Sequence, residues 1–264
     1  MMTAAAGVGQ FVSWDGGCLL IGHAREVVPS HAHYAIQIAF GIEPGIRFRP
    51  SDAAPWTRYE VALIASRQPH AMDASATPAS AVLLVEPETR EGRALAARHP
   101  AGGITALPGD LLGDAGPALF ATWRAPHADG ALATAAQRVV GALAGGLAPS
   151  APSDPRILRA AAFIRAHLEA SIALEDVAAE VCLSPSRFRH LFVAETGMTL
   201  RAYVLWRRFV RVWELLMAGS TLSAAAHRAG FADAAHLTRT SRRMFGLPPS
   251  AFQLVATRPA QGGA

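Results

Sequence analysis

The chain has 264 residues, of which 51% are hydrophobic and 17% charged, with a formal net charge of +4. That length suits two domains, and the apolar share excludes a disordered chain. No apolar run reaches the eighteen residues of a membrane span, and Met1–Gly9 has no basic stretch followed by an apolar one, so neither a membrane segment nor a secretory signal is expected. The charge is one-sided: residues 1–150 carry net −2 and residues 151–264 net +6. A basic C-terminal part points to a polyanionic partner. All 24 basic residues are arginines, which by itself reports coding preference rather than function.

In chain order, Cys18–Ile21, Tyr34–Phe40, Gly45–Arg49, Tyr59–Ile64 and Ser80–Val85 are short apolar or alternating runs broken by Pro, Gly, Asp and Ser. Such spacing predicts strands of a small barrel or sandwich. Glu86, Glu88 and Glu91 follow the last run and read as a solvated acidic turn. Helices are expected over 89–99, near Leu107–Leu112, and over 129–147, where Leu132, Ala136, Val139, Val140 and Leu143 recur at helical spacing. The Gly-, Pro- and Ser-rich stretch that follows reads as a linker, 147–155. From Arg156 onward helices are expected near 156–169, 174–181, 185–195, 199–218, 222–229 and 234–245, and the tail 256–264 is expected to be disordered. Cys18 and Cys182 lie far apart and read as free thiols of a reducing cytoplasm.

Two patterns carry chemistry. In the first, Leu174, Val177, Ala178 and Val181 make one apolar helix face, Cys182-Leu183-Ser184 breaks it, and Pro185 opens a second helix that Ser184 can cap. That helix turns Phe188, Leu191 and Phe192 inward and leaves Ser186, Arg187, Arg189 and His190 outward. This is the plan of a helix-turn-helix. It recurs about 49 residues later. Leu222, Ala225, Ala226 and Ala229 precede a Gly230-Phe231 turn, Asp233 can cap, and His236, Thr238, Arg239, Arg242 and Arg243 face out. Between the units, Thr199–Ala218 contains no Pro or Gly and spans about 30 Å as one helix. Successive major grooves on one side of B-DNA are about 34 Å apart, so such a rod can hold two recognition helices in adjacent grooves.

The second pattern is His31-Ala-His33, then Gln37 and His70. Alternate residues of a strand share a side, so His31 and His33 can face one point. The set resembles the metal-binding pattern of cupins, with Gln37 near the position of a carboxylate. Gln is a poor metal ligand by comparison, and no metal or other cofactor is expected. His31, His33, Gln37, Trp56 and His70 are taken instead as residues facing a small ligand. Trp14, Trp123 and Phe40 serve either such a pocket or the core. No phosphate-binding loop or nucleophile motif occurs, so no catalytic residue is assigned and an enzyme is not expected.

Residues 157–254 resemble the DNA-binding domain of the AraC/XylS family of transcription regulators. The resemblance rests on Leu174–Ala178, Leu183-Ser184-Pro185, Leu191-Phe192, Glu195-Thr-Gly197, Tyr203, Arg208, Leu215-Leu216, Ala226, Gly230-Phe231, Phe245-Gly246 and Pro249. Ser241 departs from it, standing where the family has a core Phe, as does Ala225 where the family has Ile. The resemblance implies that Ser186, Arg189 and His190 of the first unit and Ala235, His236 and Arg239 of the second meet bases, with Thr238, Arg242 and Arg243 nearer phosphates. It also implies a cytoplasmic activator that contacts RNA polymerase and answers to a small-molecule effector or partner. A homodimer would form through the helix bearing Leu132, Val139 and Leu143, for which packing inside the domain is the equal alternative. The expected fold is α+β. Residues 1–146 form a cupin-like β-barrel with appended helices for sensing or dimerisation. Residues 156–255 form an all-α domain with two helix-turn-helix units joined by a long helix.

Overall fold

The computed structural model describes residues 7–24, 26–126, 128, 130–145 and 154–249. It shows an α+β chain in which a β-sheet domain precedes a helical one. The strands are β1 (Gly7–Trp14), β2 (Gly17–Ala24), β3 (Val28–His31), β4 (Ile36–Gly41), β5 (Ile46–Arg49), β6 (Thr57–Tyr59), β7 (Val61–Ile64), β8 (His70–Asp73), β9 (Ser80–Val85) and β10 (Ile104–Leu107). They pair antiparallel in two sheets, ordered β1-β2-β9-β4-β7-β10 and β3-β8-β5-β6. The β1–β2 hairpin closes on Asp15-Gly16, where Gly16 holds φ +92°; such a two-residue turn needs the left-handed backbone that glycine adopts freely. Ala39, Ile46, Phe48, Ala62, Ile64 and Ala74 form a core to which both sheets contribute. The opposed alanines Ala39 and Ala62 keep that side of the six-stranded sheet flat enough for Phe48 to fill the space.

The unbroken apolar run Cys18–Ile21 has a structural reason: the six-stranded sheet is covered on both faces. Leu19, Ile21, Ile38, Phe40, Leu83 and Val85 pack with α1 (Arg90–Arg98), α2 (Ala115–Arg124) and α3 (Ala131–Ala144). The alternate residues Cys18, Leu20, Val82 and Leu84 pack with the C-terminal helices. Leu132, Val139 and Leu143 of α3 are 0–1% exposed in the first of these layers. The dimer contact expected of them is corrected accordingly, because their side chains are consumed inside the domain. A short 3-10 turn, Gly109–Leu112, replaces part of the helix expected near 107–112, whose start belongs to β10; α2 was not anticipated.

The helical domain consists of α4 (Pro155–Ala166), α5 (Leu174–Glu180), α6 (Pro185–Thr196), α7 (Leu200–Met217), α8 (Leu222–Arg228) and α9 (Ala234–Phe245). All six match their expected positions closely. Most of the expected linker 147–155, and the tail 256–264, lie outside the described residues. The last two linker residues already belong to α4: Asp154 caps it through the Arg156 amide, and Pro155 is its first residue. The central helix α7 is buried nearly all round, with Tyr203, Trp206, Phe209, Val212 and Trp213 each no more than 2% exposed. Such a helix is a core element rather than an amphipathic surface one. One side supports both helix-turn-helix units. The other lies on the β domain, where Phe11 packs against Trp213 at 5.6 Å and Tyr34 against Tyr203 at 6.1 Å between ring centres.

Candidate nucleic-acid interface

The first helix-turn-helix is held by its buried residues Val177, Ala178, Val181, Phe188 and Phe192. Cys182 takes φ +55° in the turn, and the Leu183 amide donates to Ala178 O at 2.9 Å. The second unit repeats this geometry: Gly230 takes φ +79°, and the Phe231 amide donates to Ala226 O at 2.9 Å. A left-handed residue with this back-bonded amide satisfies the orphan carbonyls at a helix end. Both recognition helices are capped, α6 by Ser184 through the Arg187 amide and α9 by Asp233 through the His236 amide, which supplies acceptors for their otherwise unpaired first amides. Gly197 and Gly246 end them in left-handed conformations.

With the inward faces consumed, the outward ones are fixed. Ser186, Arg187, Arg189 and His190 are exposed on α6; Ala235, Arg239, Arg242 and Arg243 are exposed on α9, with His236 and Thr238 half-buried. His236 rests edge-on against Phe231 at 5.5 Å, and the Thr238 hydroxyl donates to Ala234 O at 2.8 Å. That bond ties Thr238 to its own helix. Arg189 of α6 and His236 and Arg243 of α9 line the same cleft of about 560 Å³, floored by Leu200, Val204 and Leu205 of α7. Arg239 lies three residues after His236 and four before Arg243, on the same helical stripe. Arg189 of α6 and Arg243 of α9 therefore open on one side of α7, which at eighteen residues is about 27 Å long. Sequence reasoning missed two further cations of this cleft, Arg201 and Arg208. Arg208 also donates to Leu168 O at 3.2 Å and Ala170 O at 2.9 Å, bracing α7 against the end of α4.

The departure at Ser241 is accommodated. It is 1% exposed, and its hydroxyl donates to Leu247 O at 2.7 Å. Phe245, packed at tilted and edge-on angles among Phe209, Trp206 and Trp213, fills the neighbouring volume.

The second pattern is also assembled, although His33 lies beyond the end of β3 and shares no strand with His31. The rings of His31, His33 and His70 sit 4.3–5.6 Å apart between centres, and the Gln37 side chain meets His33 Nε2 at 2.8 Å. Burial pulls the pKa of all three rings down, that of His31 to about 4 and of His70 to about 2, with the neighbouring imidazoles adding to the effect at these two. Trp56 makes its ring contact elsewhere, under the Arg49 guanidinium at 4.7 Å. Trp14, Phe40 and Trp123 pack with the layer beneath α1, α2 and α3, as core residues.

Glu86 and Glu88 overturn the expected solvated turn: both are 2% exposed. Glu86 accepts from the Trp206 indole N–H at 2.9 Å and pairs with Arg207. Glu88 accepts from the Tyr34 hydroxyl at 2.7 Å. Burial, reinforced by the charge of Glu86, raises the Glu88 carboxyl to about 7. Further bonds cross the same boundary, Ser13 Oγ to Glu214 at 2.9 Å and Arg93 to Glu195. An arginine inside the otherwise apolar face of α7 was the one signal in the sequence for this contact.

Residues 177–254 match the family model described as a helix-turn-helix domain. The regulatory protein PocR of Salmonella typhimurium is 32% identical over 103 residues, 39% of this chain and 34% of that protein. The arabinose operon regulatory protein of Escherichia coli is 31% identical over 107 residues, 39% of this chain and 36% of that protein. The chain thus matches about a third of the length of these relatives. ToxT from Vibrio cholerae, solved with an unsaturated fatty acid bound, shares the fold with a TM-score of 0.58 and 10% identity over 94% of this chain and 96% of that one. The region matched by the family model carries the two helix-turn-helix units described above, and in this C-terminal part the chain is similar to regulators of the AraC type.

Proposed function

We propose that the protein is a sequence-specific DNA-binding transcription regulator that lays α6 and α9 into two successive major grooves on one side of a duplex. The observation that carries this reading is the shared cleft, in which Arg189 of one recognition helix and His236 and Arg243 of the other line one opening. Arg189 and Arg239 are the base readers, since a guanidinium forks onto guanine O6 and N7. Arg187, Thr238, Arg242 and Arg243 lie nearer the phosphates, and Ser186, His190, Ala235 and His236 complete the contact with bases. The net +6 of residues 151–264 supplies the attraction to phosphate.

In this reading the β domain is a cupin-like sensor. The contact between it and α7 transmits the presence of a small ligand or partner to the DNA-binding domain. The fold shared with a fatty acid-bound ToxT supports a ligand-answering arrangement at the level of architecture. The protein works in the cytoplasm without catalysing a reaction, and activates transcription by touching RNA polymerase, as the family resemblance suggests. Selection of bound DNA from a random pool tests the reading. It predicts enrichment of a bipartite site with half-sites about one helical turn apart, and binding that weakens steeply with salt. Enrichment of no sequence, or binding indifferent to salt, would contradict it.

A further inference from the structure

His31 ends β3, His70 opens β8, and the two are cross-strand partners, while His33 reaches the same point from the start of the β3–β4 connection. One ring nitrogen of each lies within 4.8 Å of the other two. Each Nδ1 lies against a backbone carbonyl two residues away: Pro29 O at 2.8 Å for His31, Ala35 O at 3.0 Å for His33, and Gln68 O at 2.8 Å for His70. A carbonyl only accepts, so Nδ1 of His31 and of His70 holds its ring's proton and their Nε2 presents a lone pair. His70 is wholly buried, and its Nε2 has no hydrogen-bond partner. His33 Nε2 faces Gln37 Oε1, a second acceptor, at 2.8 Å. An orphaned buried imidazole nitrogen with two further imidazoles gathered around it fits a cation.

We infer that His31, His33 and His70, with Gln37 Oε1 beside them, form a binding site for a divalent transition-metal ion at the boundary between the two domains, and that the ion sets how α9 is held. Three imidazoles select Zn²⁺, Ni²⁺, Co²⁺ or Cu²⁺ over Mg²⁺ and Ca²⁺, which take oxygen. The three carbonyls fix tautomer and ring orientation, as outer partners of metal-bound histidines do. Metal–nitrogen bonds of about 2.0–2.1 Å place tetrahedral ligand atoms roughly 3.4 Å apart. Binding therefore draws the rings inward from their present spacing of up to 4.8 Å.

That contraction acts on the helical domain. The His33 ring stacks 6.2 Å from Phe245, the last residue of α9, and lies 6.3 Å from Trp206, whose indole bonds Glu86. Pro29 O, the acceptor for His31, lies so close to Gly246 that a Cβ there would meet it at 2.8 Å. The C-terminal end of the second recognition helix is thus seated on the residues that bind the metal. The regulatory half of the inference rests on the reading of the chain as a DNA-binding regulator; the metal half does not.

The test uses the full chain without a histidine tag, stripped by chelator and titrated with Co²⁺, then with Zn²⁺ as competitor. The expected result is one Co²⁺ per chain with the visible absorption bands of a nitrogen-rich centre, displaced by Zn²⁺. These bands are lost in His31→Ala, whose half-exposed position leaves the fold intact, and in His70→Gln, each checked by circular dichroism. Absence of bands, or equal bands in His31→Ala, overturns the site. In the same preparations Zn²⁺ is expected to change affinity for the selected DNA by about five-fold or more in the unaltered chain and not in His31→Ala. Unchanged affinity overturns the coupling. Metal uptake without any DNA binding overturns the coupling together with the regulator reading, and leaves the site standing.

Discussion

Arg207 of α7 and Glu86 at the end of β9 form a buried ion pair that joins the helical domain to the β domain, the carboxylate also holding the Trp206 indole. At 8% and 2% exposure neither group has water to fall back on. Removing one partner leaves the other charge uncompensated, which costs about 3–5 kcal/mol, whereas replacing both with apolar groups of similar size is close to neutral. Glu86→Leu and Arg207→Met are each expected to destabilise by that amount in urea unfolding, and the double variant to recover most of it. Additive losses would contradict the pairing.

Glu88 gives the boundary a pH dependence of defined sign. Its folded pKa of about 7 stands above the ordinary 4.5, so the folded chain holds that proton more tightly. The resulting stabilisation is fully present below pH 4.5 and is lost as pH rises through 7. Glu88→Gln keeps a neutral group in place. Its unfolding midpoint, measured from pH 5 to 8, is expected to lack the decline that Glu88 contributes to the unaltered chain. Identical profiles would exclude the carboxyl as the source.

Under the proposed two-groove reading, the arginines on the recognition helices divide by role. Arg189→Ala and Arg239→Ala are each expected to cost about 1–3 kcal/mol of discrimination and to relax specificity at one base pair. Arg242→Ala, at a proposed phosphate contact, is expected to weaken binding to all sequences alike and to lower the salt slope by about one. Quantitative mobility shifts on single-base variants of the selected site, over a salt series, separate the two classes.

The core around Ser241 is already filled by Phe245 and its aromatic neighbours. Ser241→Phe, which restores the usual family residue, therefore overpacks the second unit and costs about 1–3 kcal/mol. Ser241→Ala loses the bond to Leu247 O and costs about 1 kcal/mol. Thermal unfolding orders the two; a stabilised Ser241→Phe variant would contradict this packing.

Leu143 of α3 is 1% exposed inside the β domain. Leu143→Ala is expected to cost about 2–5 kcal/mol through the cavity it leaves, with no change in sedimentation. Loss of stability that depends on protein concentration would restore α3 to a dimer interface.

The helical domain was legible because its signals are local. Ser184 and Asp233 each accept the cap bond their positions suggested, Thr199 and Thr221 cap α7 and α8 in the same way, and Gly197 and Gly246 stop helices where expected. The β domain was less so. In β1, Gly7 and Gly9 dilute the alternation, and β8, His-Ala-Met-Asp, has the composition of a loop and is a strand because β3 and β5 flank it. The helix α2 hides behind Gly116-Pro117, which read as a break but fall in its first turn. Glu86 reads as solvated from the sequence because its partner lies 121 residues away, a distance at which no periodicity speaks. His31 and His70 belong to one pattern by residue type, yet it is strand register that brings them together.

The two-groove account is tested most directly by changing the distance between half-sites. Inserting five base pairs into the selected DNA moves one half-site to the opposite side of the duplex, since a turn is about 10–10.5 base pairs. With α6 and α9 fixed to one side of α7, affinity should fall to that of a single half-site. Binding that keeps its strength through the insertion would show that the two helices do not read one face together.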